Sequence, residues 1–145
     1  MAALHYAAVH ALTAFYPPDV LDRWAPPVNP DRALELYRVG AAAGDLQLVA
    51  EKDDRIVGFV IASIEAGELH ACYIAPSAGG QGIGRRLVSA VESAARDHGQ
   101  HLDVRSSVNA EPFYTALGFV RTGAGHSRFD DGTQMPVIFM RKILG

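Results

Sequence analysis

Between a strand-like run and a long amphipathic stretch the chain reads IAPSAGGQGIGRR over residues 74–86, with Gly79, Gly80, Gly82 and Gly84 close together. This segment narrows the possible folds more than any other. Residues without a Cβ let the backbone take positive φ and come close to a bound group. A helix that opens directly behind them leaves its first N–H groups unpaired, and its dipole adds partial positive charge. Strand, glycine turn and helix N-terminus together form a site for an anion, best a phosphate or pyrophosphate. Arg85 and Arg86 place full charges beside it.

The helix predicted behind the loop carries Ile83, Leu87, Ala90, Val91 and Ala94 on one face at a period of 3.6. Arg85, Ser89, Glu92 and Arg96 lie opposite, and Gly99 stands where a C′ glycine belongs. Two other glycine-loop chemistries do not fit. A dinucleotide fingerprint needs G-x-G-x-x-G, but counting from Gly80 or Gly82 the sixth position is Arg85 or Leu87. A P-loop needs G-K-[ST], which is absent.

Upstream, Leu4, Ala8, Ala11, Leu12 and Phe15 have helical spacing over residues 4–16, and Pro17-Pro18 stops that helix. Five of the eight prolines fall between 17 and 30, which reads as a loop-rich segment with one helical turn. Pro30-Asp31 opens a second helix through Leu34, Leu36, Tyr37 and Val39, ending near Gly44. LQLVAEKDDRIVGFVIASI then predicts a hairpin turning at Asp53-Asp54, and ELHACYIA a third strand after Ala66-Gly67. After the long helix come a strand HLDVRSS, a short helix over 111–117 stopped at Gly118, and two closing strands, FVRTG and Met135–Leu144. The order ααβββαβαββ describes an α+β, mixed α/β fold in a single domain, 1–145.

Composition excludes several classes. Hydrophobic residues at 49% and charged residues at 20% suit a folded core rather than disorder. No run of about 18 uncharged apolar residues spans a membrane, and the start MAALHYAAVH lacks the basic and aliphatic regions of a secretory signal. The single cysteine, Cys72, excludes an internal disulfide and a multi-cysteine metal site, which makes a reducing cytoplasm the expected home. A net charge of −3 argues against nucleic acid as the main partner. Ten acids against five bases in residues 1–70, and six against eight in 71–145, read either as chance on small numbers or as a cationic acceptor met by the first half and an anionic ligand held by the second. His98-x-x-His101 has metal-like spacing, but it straddles a helix end, where a cation near the C-terminal carbonyls is the simpler reading.

Two motifs in order resemble a known family, the GCN5-related N-acetyltransferases. Its phosphate loop [Arg/Gln]-x-x-Gly-x-[Gly/Ala] matches Gly79-Gly80-Gln81-Gly82-Ile83-Gly84, with Gly79 standing where Arg or Gln is usual. Its N-x-x-x-(F)-Y-x-x-x-G-F segment matches Asn109 to Phe119, and the closing Met140-Arg141-Lys142 strand is a weaker third match. The resemblance implies a central, mostly antiparallel twisted sheet flanked by helices. It also implies acetyl-CoA as co-substrate, no metal, and an amine as acceptor, with direct attack in a ternary complex. A non-catalytic acyl-CoA sensor of the same fold is the alternative. Family members usually start with a strand before the first helix, so the resemblance leaves two readings: the start is placed late, or the fold lacks that first strand. The strand Leu46–Lys52 then has a bare edge, which implies self-association as a homodimer.

The resemblance also assigns residues. Tyr114 falls beside the thioester sulfur as general acid; as a bare residue it also reads as a core aromatic. Glu68 is the base candidate, directly or through water, and His70 its rival; strand alternation puts Glu68, His70, Cys72 and Ile74 on one face. Glu68 also reads as a solvated strand start, His70 as a half-buried strand residue, and Cys72 as a buried inert thiol. In the family the strand splays near Ile74 and Ala75, where main-chain N–H groups bind pantetheine and polarise the thioester carbonyl. CoA would lie against residues 79–85, from Gly79, Gly80, Gln81 and Gly82 through Ile83, Gly84 and Arg85, between the strand ending at Ile74 and the strand 102–106. Asn109 would bind pantetheine or cap the short helix. Trp24, Tyr37, His126 and Arg128 would line the acceptor pocket, entered from the side of residues 17–38 and 122–134.

Overall fold

The computed structural model describes residues 1–99 and 101–145. Three helices come first, where the sequence predicts two: α1 (Ala2–His10), α2 (Pro18–Trp24) and α3 (Pro30–Ala42). The proline pair does more than stop α1. Pro17 is extended, and Pro18, which has no N–H to satisfy, starts α2 at N1. The loop expected between 17 and 30 is therefore largely helical. Helix α3 opens as predicted on proline, with the Asn29 side chain accepting from the Arg32 N–H at 3.2 Å. None of its residues is buried, and Leu34, Leu36, Tyr37 and Val39 are exposed.

The remaining elements are β1 (Leu46–Lys52), β2 (Arg55–Ser63), β3 (Glu68–Ile74), α4 (Ile83–Ala95), β4 (His101–Ser107), α5 (Glu111–Ala116), β5 (Val120–Arg128) and β6 (Gln134–Ile143). They build one six-stranded sheet, in order β1-β2-β3-β4-β6-β5, antiparallel everywhere except between β3 and β4. The β1–β2 turn holds Asp53 and Asp54 at φ 53 and 60, the left-handed pair that a two-residue hairpin needs. Strand β1 pairs only with β2, so its outer edge is bare among the described residues.

One face of the sheet packs against α4 and α5 through Val60, Leu69, Val88, Val91, Leu102, Val104, Tyr114, Phe119 and Met140. Val60, Val88, Val91 and Leu102 are fully buried, each contributing roughly 1.5–3 kcal/mol by leaving water. The other face carries α1 and α2 through Val9, Tyr16, Val20, Leu21, Met135 and Val137. The buried stripe of α4 runs Gly84, Leu87, Val88, Val91, Glu92 and Ala95, rotated from the predicted one. Glu92, expected on the solvent face, points inward and accepts from the Lys142 ammonium of β6 at 2.8 Å. Helix α4 ends at Ala95 with Arg96 as a right-handed cap, so the left-handed glycine cap expected at Gly99 is not what closes it. His98 Nδ1 lies 3.2 Å from the Ala94 carbonyl, and His101 faces Asp103 at 3.7 Å. The two histidines thus have separate partners.

Candidate active site

The site begins where the sheet opens. Strands β3 and β4 pair over two positions only, Glu68 with Asp103 and Leu69 with Val104, and then diverge. On its other side β3 stays bonded to β2 as far as the Ala75 N–H, which donates to the Val57 carbonyl at 2.8 Å. Antiparallel ladders alternate bonded and non-bonded pairs. Ala75 and Tyr73 therefore bond to Val57 and Phe59 of β2, and the N–H groups of Cys72 and Ile74 turn toward the gap left by β4. The Ile74 N–H thus faces the gap, whereas the Ala75 N–H, the other main-chain candidate, is already taken by Val57. The Cys72 N–H was missed, because only the ladder register reveals which way it points.

Beyond Ile74 the chain makes a single 3-10 turn, Pro76–Ala78, and enters the glycine loop. Gly80 and Gly82 stand at φ +73 and +78, with open space where a Cβ would be. Gly82 is the N-cap of α4, and the first helical bond runs from the Arg86 N–H to its carbonyl at 3.1 Å. The N–H groups of Gly80, Gln81, Gly82, Ile83, Gly84 and Arg85 meet no acceptor among the described residues. Gly79 lies ahead of them in extended geometry, its N–H 3.5 Å from the Pro76 carbonyl. Lys52, at the end of β1, donates to the Gln81 side chain at 2.8 Å and joins the exposed Arg85 and Arg86 around this anion cradle. Only the sheet brings Lys52 there. Gly84 is different: a Cβ on it would sit 2.9 Å from Phe113 Cζ, so its missing side chain serves the packing of α4 on α5.

A cavity of about 780 Å³ occupies the gap and the open face beside it. Glu68, His70, Cys72, Tyr73, Tyr114 and Trp24 all line it, so the structure brings the predicted acid and both predicted bases to one space. Their arrangement differs from simple alternation. Ile61 pairs with Ala71 and Ala62 with Leu69, which leaves His70 as an extra residue in β3. The bulge puts Leu69, Cys72 and Ile74 together on the α4 side. The expectation that Glu68, His70, Cys72 and Ile74 share a face is thereby corrected. Glu68 is exposed at the closed end of the gap, four residues or about 13 Å of strand from Cys72.

Tyr114 is buried in the first turns of α5, edge-on to Phe113 and Phe119. Burial, followed by the proximity of Cys72 and Tyr73, pushes its phenol well above 10. The same burial raises the Cys72 thiol from 9.0 to about 12, which fits the inert-thiol expectation. Tyr73 also rises to about 12 by burial, opposed by the Trp24 indole N–H that donates to its hydroxyl at 2.9 Å. That bond occupies an oxygen lone pair and leaves the Tyr73 O–H to donate elsewhere. Asn109 sits in the 3-10 turn before α5, and its Oδ1 is buried without a partner. The helix N-cap is Ala110 and no side chain caps it, so the capping alternative for Asn109 does not hold. Of the four residues expected around the acceptor, only Trp24 lines the cavity. Tyr37, His126 and Arg128 are exposed, while Ser127 and Phe129, one step out of phase on the β5 side, line it. Arg23 of α2 pairs with Asp131 of the β5–β6 loop and straps that wall to the helical side.

A family model described as an acetyltransferase (GNAT) domain matches residues 18–144. Among solved structures, the chain is similar to a GCN5-related N-acetyltransferase from Rhodopseudomonas palustris, at 25% identity and a TM-score of 0.83, over 99% of this chain and 87% of that one. It also resembles a ribosomal-protein-alanine N-acetyltransferase from Brucella melitensis (24% identity, TM-score 0.66, 96% of each chain). The fold is shared with the PaiA N-acetyltransferase of Thermoplasma acidophilum in complex with coenzyme A (18% identity, TM-score 0.73, 98% of this chain and 89% of that). The splayed sheet, the glycine loop and the family match agree, and the chain belongs to the GCN5-related N-acetyltransferase superfamily.

Proposed function

We propose that this chain, as one domain over residues 1–145, transfers an acetyl group from acetyl-CoA to an amine by direct attack in a ternary complex. The observation that carries the reading is the row of N–H groups without acceptors, from Cys72 and Ile74 in the gap to Gly80–Arg85 in the loop. Unpaired N–H groups on a glycine loop and at a helix N-terminus bind phosphate, and a pantetheine arm ending in a diphosphate supplies carbonyl and phosphate oxygens along that line. The unpartnered Oδ1 of Asn109 suits an amide N–H of the same arm. Gly79, Gly80, Gln81, Gly82, Ile83, Gly84 and Arg85 would hold the diphosphate through the main chain, with Lys52 and Arg86 adding charge. The lone free thiol of Cys72 suits a reducing cytoplasm.

Acetyl-CoA, when bound, supplies an activated thioester carbonyl. The chain's own groups do the rest. The N–H groups of Cys72 and Ile74 donate to the carbonyl oxygen as negative charge grows on it. Glu68 takes the proton the amine must lose; at its distance along β3 it works through water. The new C–N bond forms as the C–S bond breaks, and Tyr114 gives its phenolic proton to the leaving sulfur. The raised Tyr114 phenol keeps that proton throughout the neutral range. Calorimetric titration with acetyl-CoA, followed by thiol detection over an amine panel, tests the proposal. Binding with turnover supports it. Binding without turnover of any amine selects the sensor alternative, and absence of binding overturns both.

A further inference from the structure

The cavity holds two guanidinium groups with different partners. Arg141 is clamped by Asp103 through two bonds of 2.6 and 2.9 Å, an ion pair that also depresses the Asp103 carboxyl. Arg105, on the same face of the sheet, has no carboxylate within 4 Å among the described residues. It pairs across β4–β6 with Phe139, its guanidinium carbon 5.8 Å from the ring centroid. A guanidinium resting on an aromatic face is fixed in position while its N–H edges stay free, the geometry that receives a carboxylate bidentately. Glu68 lines the same cavity, so the lining offers one unmatched cation together with an anion. The cavity, gap and open face together, has the volume of a small-molecule site.

We propose that the acceptor is a small amine that also bears a carboxylate, an aminocarboxylate whose acid group is held by Arg105 and whose ammonium is drawn toward Glu68. This rests on the acetyltransferase reading above and names its substrate class. Arg105 is a specificity residue; it takes no part in proton transfer.

The test uses the full chain at saturating acetyl-CoA with matched acceptors: amino acids, their C-terminal amides, their decarboxylated amines, and short peptides with the same N-terminal residue. Released thiol gives kcat and KM. The expected result is a kcat/KM for the free acid about 10- to 100-fold above its amide, the range for one charge-assisted pair. Arg105→Gln should erase that ratio by raising KM for the acid, Arg105→Lys should restore part of it, and the acetyl-CoA Kd should stay unchanged in both. Equal use of acid and amide, preference for the peptides, or an unchanged ratio in Arg105→Gln overturns the substrate class while leaving the acetyltransferase reading standing. Failure of acetyl-CoA to bind, or of every amine to react, overturns both.

Discussion

Replacing Tyr114 by Phe removes one oxygen from a buried ring and tests the chemistry at its most specific point. The ring packs between Phe113 and Phe119, contacts that phenylalanine keeps. Among the described residues no hydrogen bond engages the Tyr114 hydroxyl, so stability should move by less than about 1 kcal/mol. The catalytic cost is larger, and Cys72 gives its reason. A thiol in this surrounding is pushed from 9.0 to about 12, so a departing thiolate in the same gap is poorly tolerated and needs a proton. General acid catalysis is worth roughly 10²–10⁴-fold in rate. Water entering the open cavity recovers part of it, which leaves an expected fall in kcat on the order of a hundredfold. The assay is steady-state thiol release between pH 6 and 9, paired with calorimetry on acetyl-CoA. The loss should be uniform over that range, with Kd within about threefold of the parent. A kcat within twofold of the parent, at unchanged melting temperature, would refute the acid role.

Further outcomes follow from the same geometry. Asn109→Ala should weaken acetyl-CoA about tenfold by calorimetry, with the unliganded melting temperature steady, because the buried Oδ1 has no partner among the described residues; a fall of several degrees without a change in Kd would assign it a purely structural role. Gly82→Glu should abolish acetyl-CoA binding, since it forces a side chain into φ +78 and puts a negative charge in the cradle. Gly84→Ala, by contrast, should cost about 1–3 kcal/mol in a urea melt through its clash with Phe113, before any effect on affinity is read. Cys72 and Tyr73 both have raised values when folded, so their contribution is complete below pH 9 and is lost as pH rises toward 12; melting temperature should fall across that window, and Cys72→Ala should make the fall shallower. With β1 bare on its outer edge and Val49 exposed there, sedimentation should show a dimer that Val49→Lys disperses; a monomer at high concentration contradicts this.

What could be read in advance was local. Four glycines between a strand and an amphipathic period announce an anion cradle, because turn geometry and helix N-termini depend on adjacent residues. The hairpin at Asp53-Asp54 and the helix stop at Gly118, with φ +95, are local in the same sense. The misses are non-local. Prolines 17 and 18 read as breakers, yet Pro18 sits in the first helical turn, where no N–H is needed. Glu92 reads as solvated until Lys142 arrives from β6. The face of Glu68 depends on an extra residue at His70, visible only once β2 sets the register. Lys52 and Arg105 carried no signal because their importance lies in what the sheet places beside them.

The gap itself explains why such a sheet is built. Past Leu69 and Val104 the facing edges of β3 and β4 forgo their ladder, leaving main-chain groups that water or a ligand must satisfy. Such an opening would invite fraying were the two strands not held elsewhere. Leu69 and Val104 are anchored on α4, and Tyr73 on the aromatic cluster with Trp24. Tyr16 stitches the two sides, its hydroxyl donating to the Pro136 carbonyl at 3.3 Å and accepting from the Val108 N–H at 2.7 Å. The cores on the two faces thus keep open a slot that the sheet's own hydrogen bonding would otherwise close. A ligand that completes the missing ladder needs no rearrangement of either core, so under the proposed mechanism its binding energy would go into placing the reacting carbonyl beside Tyr114 rather than into folding the site.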